Sequence, residues 1–256
     1  MLKKKVLTQF EFLCPNELLR QEQKRLIVDT GSNHLNALLK GGFRLNEITE
    51  VYGSFNSGKS QLGFTLCVNL LKLDESFSTL FLDTEASFRS SRIVEIAKGK
   101  GIDENKALNS IRLLRIKSTK EQVEIIEKLG MVLEAEPSIK LIIIDSLIAH
   151  LRAEYLGREQ LVERQQILAN MLHKLGDVVE RYKVGVYLTN QVATDPNKYF
   201  GDPTIALGGN VLAHFSQTRL YFRSGKKGKK VAKVTDSSCI PEGEAIFEIR
   251  SEGITD

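Results

Sequence analysis

A candidate strand at residues 47–52, ending in Val51-Tyr52, leads into Gly53-Ser54-Phe55-Asn56-Ser57-Gly58-Lys59-Ser60, and a helical pattern carrying Leu62, Leu66 and Leu70 follows at once. Few local sequences constrain a chain more. Glycines at both ends of such a segment let the backbone curl until successive N–H groups point at one centre, and the positive end of the following helix adds to them. A centre of that kind binds phosphate. Lys59 is placed to reach the β- and γ-phosphates of a nucleoside triphosphate and Ser60 to hold magnesium, with Gln61 next on the helix. The expected fold is α/β, strands and helices wound onto a mostly parallel sheet, with ATP and Mg2+ bound beyond the strand at 47–52.

The rest of the chain agrees with that plan. Residues 79–83, 141–145 and 184–189 are further near-continuous apolar runs, as strands buried on both faces should be. Residues 161–181 repeat Leu161, Leu168, Leu172, Leu175 and Val179 on one helical face. After Gln217 come shorter extended pieces at 218–223, 231–235 and 245–250, expected to close the sheet's edge as antiparallel strands. The opening residues contain no strand-helix unit of their own. They read as an arm and linker over 1–29, followed by one ATPase core over 30–256.

With 256 residues, 42% of them hydrophobic, one large core is within reach. Basic Met1-Leu2-Lys3-Lys4-Lys5 resembles the start of an export signal, but Thr8, Gln9 and Glu11 interrupt any apolar stretch after it. No run is long enough to span a bilayer, and no membrane partner is expected. Cys14, Cys67 and Cys239 stand far apart, as do His34, His150, His173 and His214, which argues against a disulfide framework or a zinc site. An intracellular, reducing setting is expected. The net charge of +4 is too small a bias to establish a nucleic-acid partner.

A triphosphate site also needs a carboxylate for the magnesium shell, and Asp145, after Leu141-Ile142-Ile143-Ile144, supplies one. Phe81-Leu82-Asp83-Thr84-Glu85 ends another strand in a carboxylate able to polarise an attacking water, although the residues alone equally describe a strand end with a salt bridge. Gln191 in Thr189-Asn190-Gln191-Val192 could report on the γ-phosphate. An amide bonded to a loop backbone is the equal alternative.

Together these segments resemble the RecA-type recombinases, in the branch of archaeal RadA and its eukaryotic counterparts. Beyond the stretches above, the resemblance rests on Phe88-Arg89 and Arg92, on Arg152-Ala153-Glu154-Tyr155-Leu156-Gly157-Arg158, and on Glu163-Arg164-Gln165-Gln166. It continues in Phe200-Gly201-Asp202-Pro203-Thr204, Gly208-Gly209-Asn210, Ala213-His214 and Asp236-Ser237-Ser238-Cys239-Ile240-Pro241. It implies a RecA-like core in which Lys59 and Ser60 bind phosphates and magnesium, Asp145 orders the magnesium shell, Glu85 activates water, and Gln191 senses the γ-phosphate. Arg92 would lie by the adenine. It further implies a helical filament with ATP between protomers, so that His214 and the cap from Asp236 to Pro241 act on the neighbour's nucleotide. Single- and double-stranded DNA would lie along two loops, at 152–164 and 193–207.

The residues of those loops suit the task. Arg152, Arg158 and Arg164 offer fork-shaped donors to phosphates, while Tyr155, Tyr199 and Phe200 offer aromatic faces to bases. The lysine cluster Lys226, Lys227, Lys229 and Lys230 reads as a solvated hairpin tip.

The chain departs from the family pattern mainly at assembly positions. Too few residues precede the core to build the family's helix-hairpin-helix domain, so accessory duplex binding is not expected of them. Phe12-Leu13-Cys14-Pro15 is the nearest match to the filament motif, with proline in place of alanine, and Arg112 and Leu114 replace small residues on the receiving strand. Ala86 stands for a glycine. The reading is a DNA-dependent ATPase that forms filaments on single-stranded DNA and promotes homologous pairing and strand exchange. Its runner-up is a paralog that binds ATP and a partner recombinase and modulates filament assembly. The expected location is the nucleoid of an archaeal host or a eukaryotic nucleus.

Overall fold

The computed structural model describes residues 14–157, 159–195 and 203–256. Its strands are β1 Ile27–Val28, β2 Phe43–Arg44, β3 Ile48–Gly53, β4 Ser78–Asp83, β5 Ile111–Arg115, β6 Ile139–Asp145 and β7 Gly185–Asn190. Then follow β8 Val192–Thr194, β9 Thr204–Ala206, β10 Thr218–Ser224, β11 Lys230–Ser237, β12 Gly243–Arg250 and β13 Gly253–Thr255. A nine-stranded sheet runs in the order β13-β12-β11-β10-β3-β7-β6-β4-β5. From β10 to β5 every neighbouring pair is parallel, and from β10 to β13 every pair is antiparallel. The antiparallel edge therefore begins one strand later than the sequence suggests, because β10 lies parallel to β3 while pairing with β11 on its other side.

Strands β3, β4 and β7 are buried at every residue, which accounts for the aliphatic and aromatic residues along them, while Glu50 within β3 is buried against Arg219 and Asn190. Alternation within β6 divides the core between the two faces of the sheet. Leu141 and Ile143 join Phe64, Phe81, Tyr187 and Phe222 on one face, and Ile142 and Ile144 join Leu168, Leu172, Leu175 and Leu188 on the other. The second face is covered by the helix Leu161–Tyr182, whose Leu168, Leu172, Leu175 and Val179 are buried. Leu161, expected on the same face, sits at the start of that helix and is 41% exposed.

Packing reaches further toward the N-terminus than the arm reading allowed. Val28 in β1 and Leu35 in the helix Asn33–Leu38 are fully buried in the first cluster. Before them the helix Pro15–Gln23 lies on the surface with no buried residue. Pro15 occupies its first turn, where a missing N–H costs nothing. Phe12 falls outside the described residues. At the far edge, β5 exposes Leu113 and Leu114, and Arg112 is held by Glu136 at 2.6 Å and the Asn109 carbonyl at 2.7 Å.

Candidate functional site

The sheet brings the carboxyl ends of β3, β4, β6 and β7 together, and the phosphate segment crosses them before the helix Lys59–Leu70. Gly58 opens that helix at φ 107 and Asn56 holds φ 59 at the loop's tip, the left-handed region that glycine and asparagine tolerate best. Gly53 is required by closeness instead. A Cβ there would come within 2.1 Å of the Phe222 carbonyl oxygen. The resulting cavity, about 490 Å3, is lined by residues 53–61 with Glu85, Ser87, Asp145, Ser146, Thr189, Gln191 and Val192.

Asp145 is 4% exposed, and its carboxylate accepts hydrogen bonds from the Thr189 and Ser87 hydroxyls. Burial pushes its pKa up, bonds from Thr189, Ser60 and Ser87 pull it back, and the charge of Glu85 adds to the rise. Lys59 donates to the carbonyls of Gly53 and Ser54, each at 2.9 Å. Burial lowers its pKa, while Asp145 and Glu85 oppose that shift. The lysine and two carboxylates thus share one electrostatic environment.

Glu85 and Gln191 are also brought into contact. Glu85 Oε1 accepts from Ser146 Oγ at 2.9 Å and from Gln191 Nε2 at 2.7 Å. Arg152 Nη1 in turn donates to Gln191 Oε1 at 3.0 Å. Because a guanidinium only donates, Arg152 fixes which way round the amide sits, with its NH2 toward Glu85. Asp83, before Glu85, shapes the turn by accepting from the N–H groups of Ser87 and Phe88. Ala86, in place of a glycine, holds φ 52 in that turn.

Other sequence-chosen residues lie outside the cavity's lining. Arg92 donates to Gln61 at 2.7 Å, to Glu95, and to the carbonyls of Arg250 and Ser251. His214 is exposed on the last turn of the helix Gly209–Phe215, and Asp236 and Pro241 are exposed about the end of β11. Tyr155 is half-buried against the second core cluster, and its carbonyl accepts from Arg164 at 3.5 Å. Arg158, Tyr199 and Phe200 fall outside the described residues. Antiparallel β8 and β9 form the stem of the second loop, and Asn190 Nδ2 ties its far end by bonding the Leu207 carbonyl and buried Glu50, each at 2.7 Å.

Sequence reasoning missed Ser87, Ser146 and Thr189 as members of the site, and it missed Lys230, whose Nζ donates to the Asn56 carbonyl at 2.8 Å. Serine and threonine at strand ends carry no spacing signal. Lys230 sits in a lysine cluster that looks solvated.

A phosphate loop on a sheet of this order, with Asp145 and Glu85 on adjacent strand ends, defines a P-loop α/β core of the RecA-like kind. Within that class the chain belongs to the Rad51 family, whose model matches residues 21–256. It is similar to the "DNA repair and recombination protein RadA" of Cenarchaeum symbiosum (strain A), 42% identical over 250 residues, 96% of this chain and 63% of that protein. The chain therefore spans less than two thirds of that relative's length.

Proposed function

We propose that this chain is an ATPase that assembles as a helical filament on single-stranded DNA and promotes homologous pairing and strand exchange with a duplex. One observation carries the reading. Lys59, Asp145, Glu85 and Gln191 meet in a single cavity, and Gln191 is hydrogen-bonded to Arg152 of the first DNA loop. In this reading Lys59 and the loop N–H groups hold the phosphates, Glu85 takes a proton from the attacking water, and Gln191 relays the state of the site to the loops. Arg92, His214, Asp236 and Pro241 serve adenine and the nucleotide of a neighbouring protomer.

The residues fit magnesium. The Ser60 hydroxyl and the Asp145 carboxylate, hydrogen-bonded to each other on the cavity wall, are hard oxygen donors of the kind the ion takes. When bound, the ion would neutralise charge on the phosphate oxygens.

Arg152, Arg158, Arg164, Tyr155, Tyr199 and Phe200 form the proposed DNA surface, and Phe12 with Pro15 the proposed assembly arm. The experiment is electron microscopy with ATP and single-stranded DNA, paired with ATP hydrolysis at rising salt. Regular helical filaments and DNA-stimulated hydrolysis are expected, with Arg152→Ala reducing the salt slope of DNA binding by about one. Closed rings indifferent to DNA would refute the reading. A second reading, a paralog that modulates a partner recombinase, is favoured by the receiving strand, where Arg112 is already paired with Glu136 and two leucines stand exposed. Monomers that bind ATP yet never form filaments alone would select it.

A further inference from the structure

The phosphate loop is supported by β10 and β12. Gly53 rests on the Phe222 carbonyl of β10, and a Cβ on Gly58 would stand 3.2 Å from Ile249 and 3.4 Å from Phe247 of β12. Between those contacts Ser54, Phe55 and Asn56 are exposed, Phe55 to 98%. The tip is gripped from β11. Lys230 Nζ reaches across to the Asn56 carbonyl at 2.8 Å, with Ser224 Oγ at 3.5 Å.

That contact fixes a peptide plane. A carbonyl and the N–H of the same peptide point in opposite directions, so holding the Asn56 carbonyl outward turns the Ser57 N–H inward. In this structure that N–H is bonded to the Ser54 carbonyl at 3.3 Å, a long bond that a phosphate oxygen would replace. Inward N–H groups are what such a loop offers to phosphate. Neighbouring cations are engaged differently: Lys229 pairs with Glu248 at 3.1 Å and Arg223 with Glu244 at 2.9 Å. Lys226 and Lys227 are exposed at the turn.

We propose that Lys230 is a positioning residue of the triphosphate site, holding the Asn56–Ser57 peptide so that the loop presents its N–H groups to the phosphates. This rests on the reading of the cavity as an ATP site. Lys230 touches neither water nor the reacting phosphorus in this scheme, so its loss changes affinity and leaves the chemical step alone.

The test measures ATP affinity, by equilibrium titration with a fluorescent ATP analogue and Mg2+, alongside KM and kcat. Lys230→Met should raise Kd and KM about tenfold, as expected for loss of one charged hydrogen bond, and change kcat at saturation by less than about twofold. Lys230→Arg, which keeps a cation and donors, should recover most of the affinity, and Lys226→Met should leave it unchanged. If the methionine variant does not fold, Lys230→Gln replaces it, with a smaller rise in the same direction. Unchanged affinity, an equal rise in Lys226→Met, or a fall confined to kcat would each overturn the proposal. Failure of the unaltered protein to bind ATP would overturn the ATP reading as well, so the two failures are distinguishable.

Discussion

On the side of β4, β6 and β7 the phosphate loop faces side chains that can do chemistry: Glu85 and Gln191, hydrogen-bonded to each other at 2.7 Å, and Asp145, held by the Ser87 and Thr189 hydroxyls. On the side of β10, β11 and β12 it meets a backbone carbonyl, a lysine and two apolar side chains. Both sides approach the same few residues, yet one faces the cavity and the other holds the loop. The contrast predicts that, in the proposed ATPase, rate and affinity have separate structural sources. Changes on the β4, β6 and β7 side should act on hydrolysis, and changes on the β10, β11 and β12 side on stability and nucleotide binding.

The largest effect expected on the supporting side comes from the ion pair that joins β10 to β3. Arg219 Nε donates to Glu50 Oε2 at 2.6 Å, and the Glu50 side chain is 0% exposed. Removing one member of a buried pair strands the other, at a cost of about 3–5 kcal/mol. Arg219→Met should therefore lower unfolding free energy by that order in urea titrations, while hydrolysis per bound ATP is kept. An unchanged urea midpoint would break the comparison.

Gly58→Ala should act next. At φ 107 a side chain costs roughly 1–2 kcal/mol, and Ile249 and Phe247 must yield as well. Weaker ATP binding with modest destabilisation is expected, and calorimetry of the two together checks it.

The smallest effect sharpens the same side through pH. Asp256, just past β13, is held at a pKa of about 2 by bonds from the Ser32 hydroxyl, the His34 N–H and the Asn33 amide. Its folded value is lowered, so its contribution is present above the ordinary value of 3.8 and is lost as pH falls through about 2. Asp256→Asn should lower stability modestly at neutral pH, where that contribution is present, and flatten acid destabilisation between those values so that the two proteins converge below about 2. An identical acid melting profile would remove Asp256 from the account.

Legibility in the sequence follows the same division. Lys59 and Asp145 could be read because a glycine-bounded loop and a carboxylate after an apolar run leave a pattern, whereas Glu85 and Gln191 stayed open between site and ordinary strand end until the family resemblance was added. Strands β4, β6 and β7 could be read because burial on both faces favours apolar runs. Strand β5 was harder, since an exposed edge carries Arg112 and Arg115 among its leucines. Lys230 was illegible for another reason. Its meaning lies in reaching a carbonyl 174 residues away in the chain, and no local pattern encodes that. Thr189 and Ser87 became site residues only when β7 and the turn after β4 were brought beside Asp145.

The central claim is that holding the triphosphate and splitting it belong to different residues of one cavity. Glu85→Gln and Lys59→Ala, compared in the same ATP-binding and hydrolysis assays, test it most directly. Glu85→Gln should keep ATP affinity and slow hydrolysis on the order of 10²- to 10⁴-fold, the usual contribution of a general base, while Lys59→Ala should weaken binding itself. Equal loss of ATP binding in both variants would contradict the assignment of Glu85 and the division of labour with it.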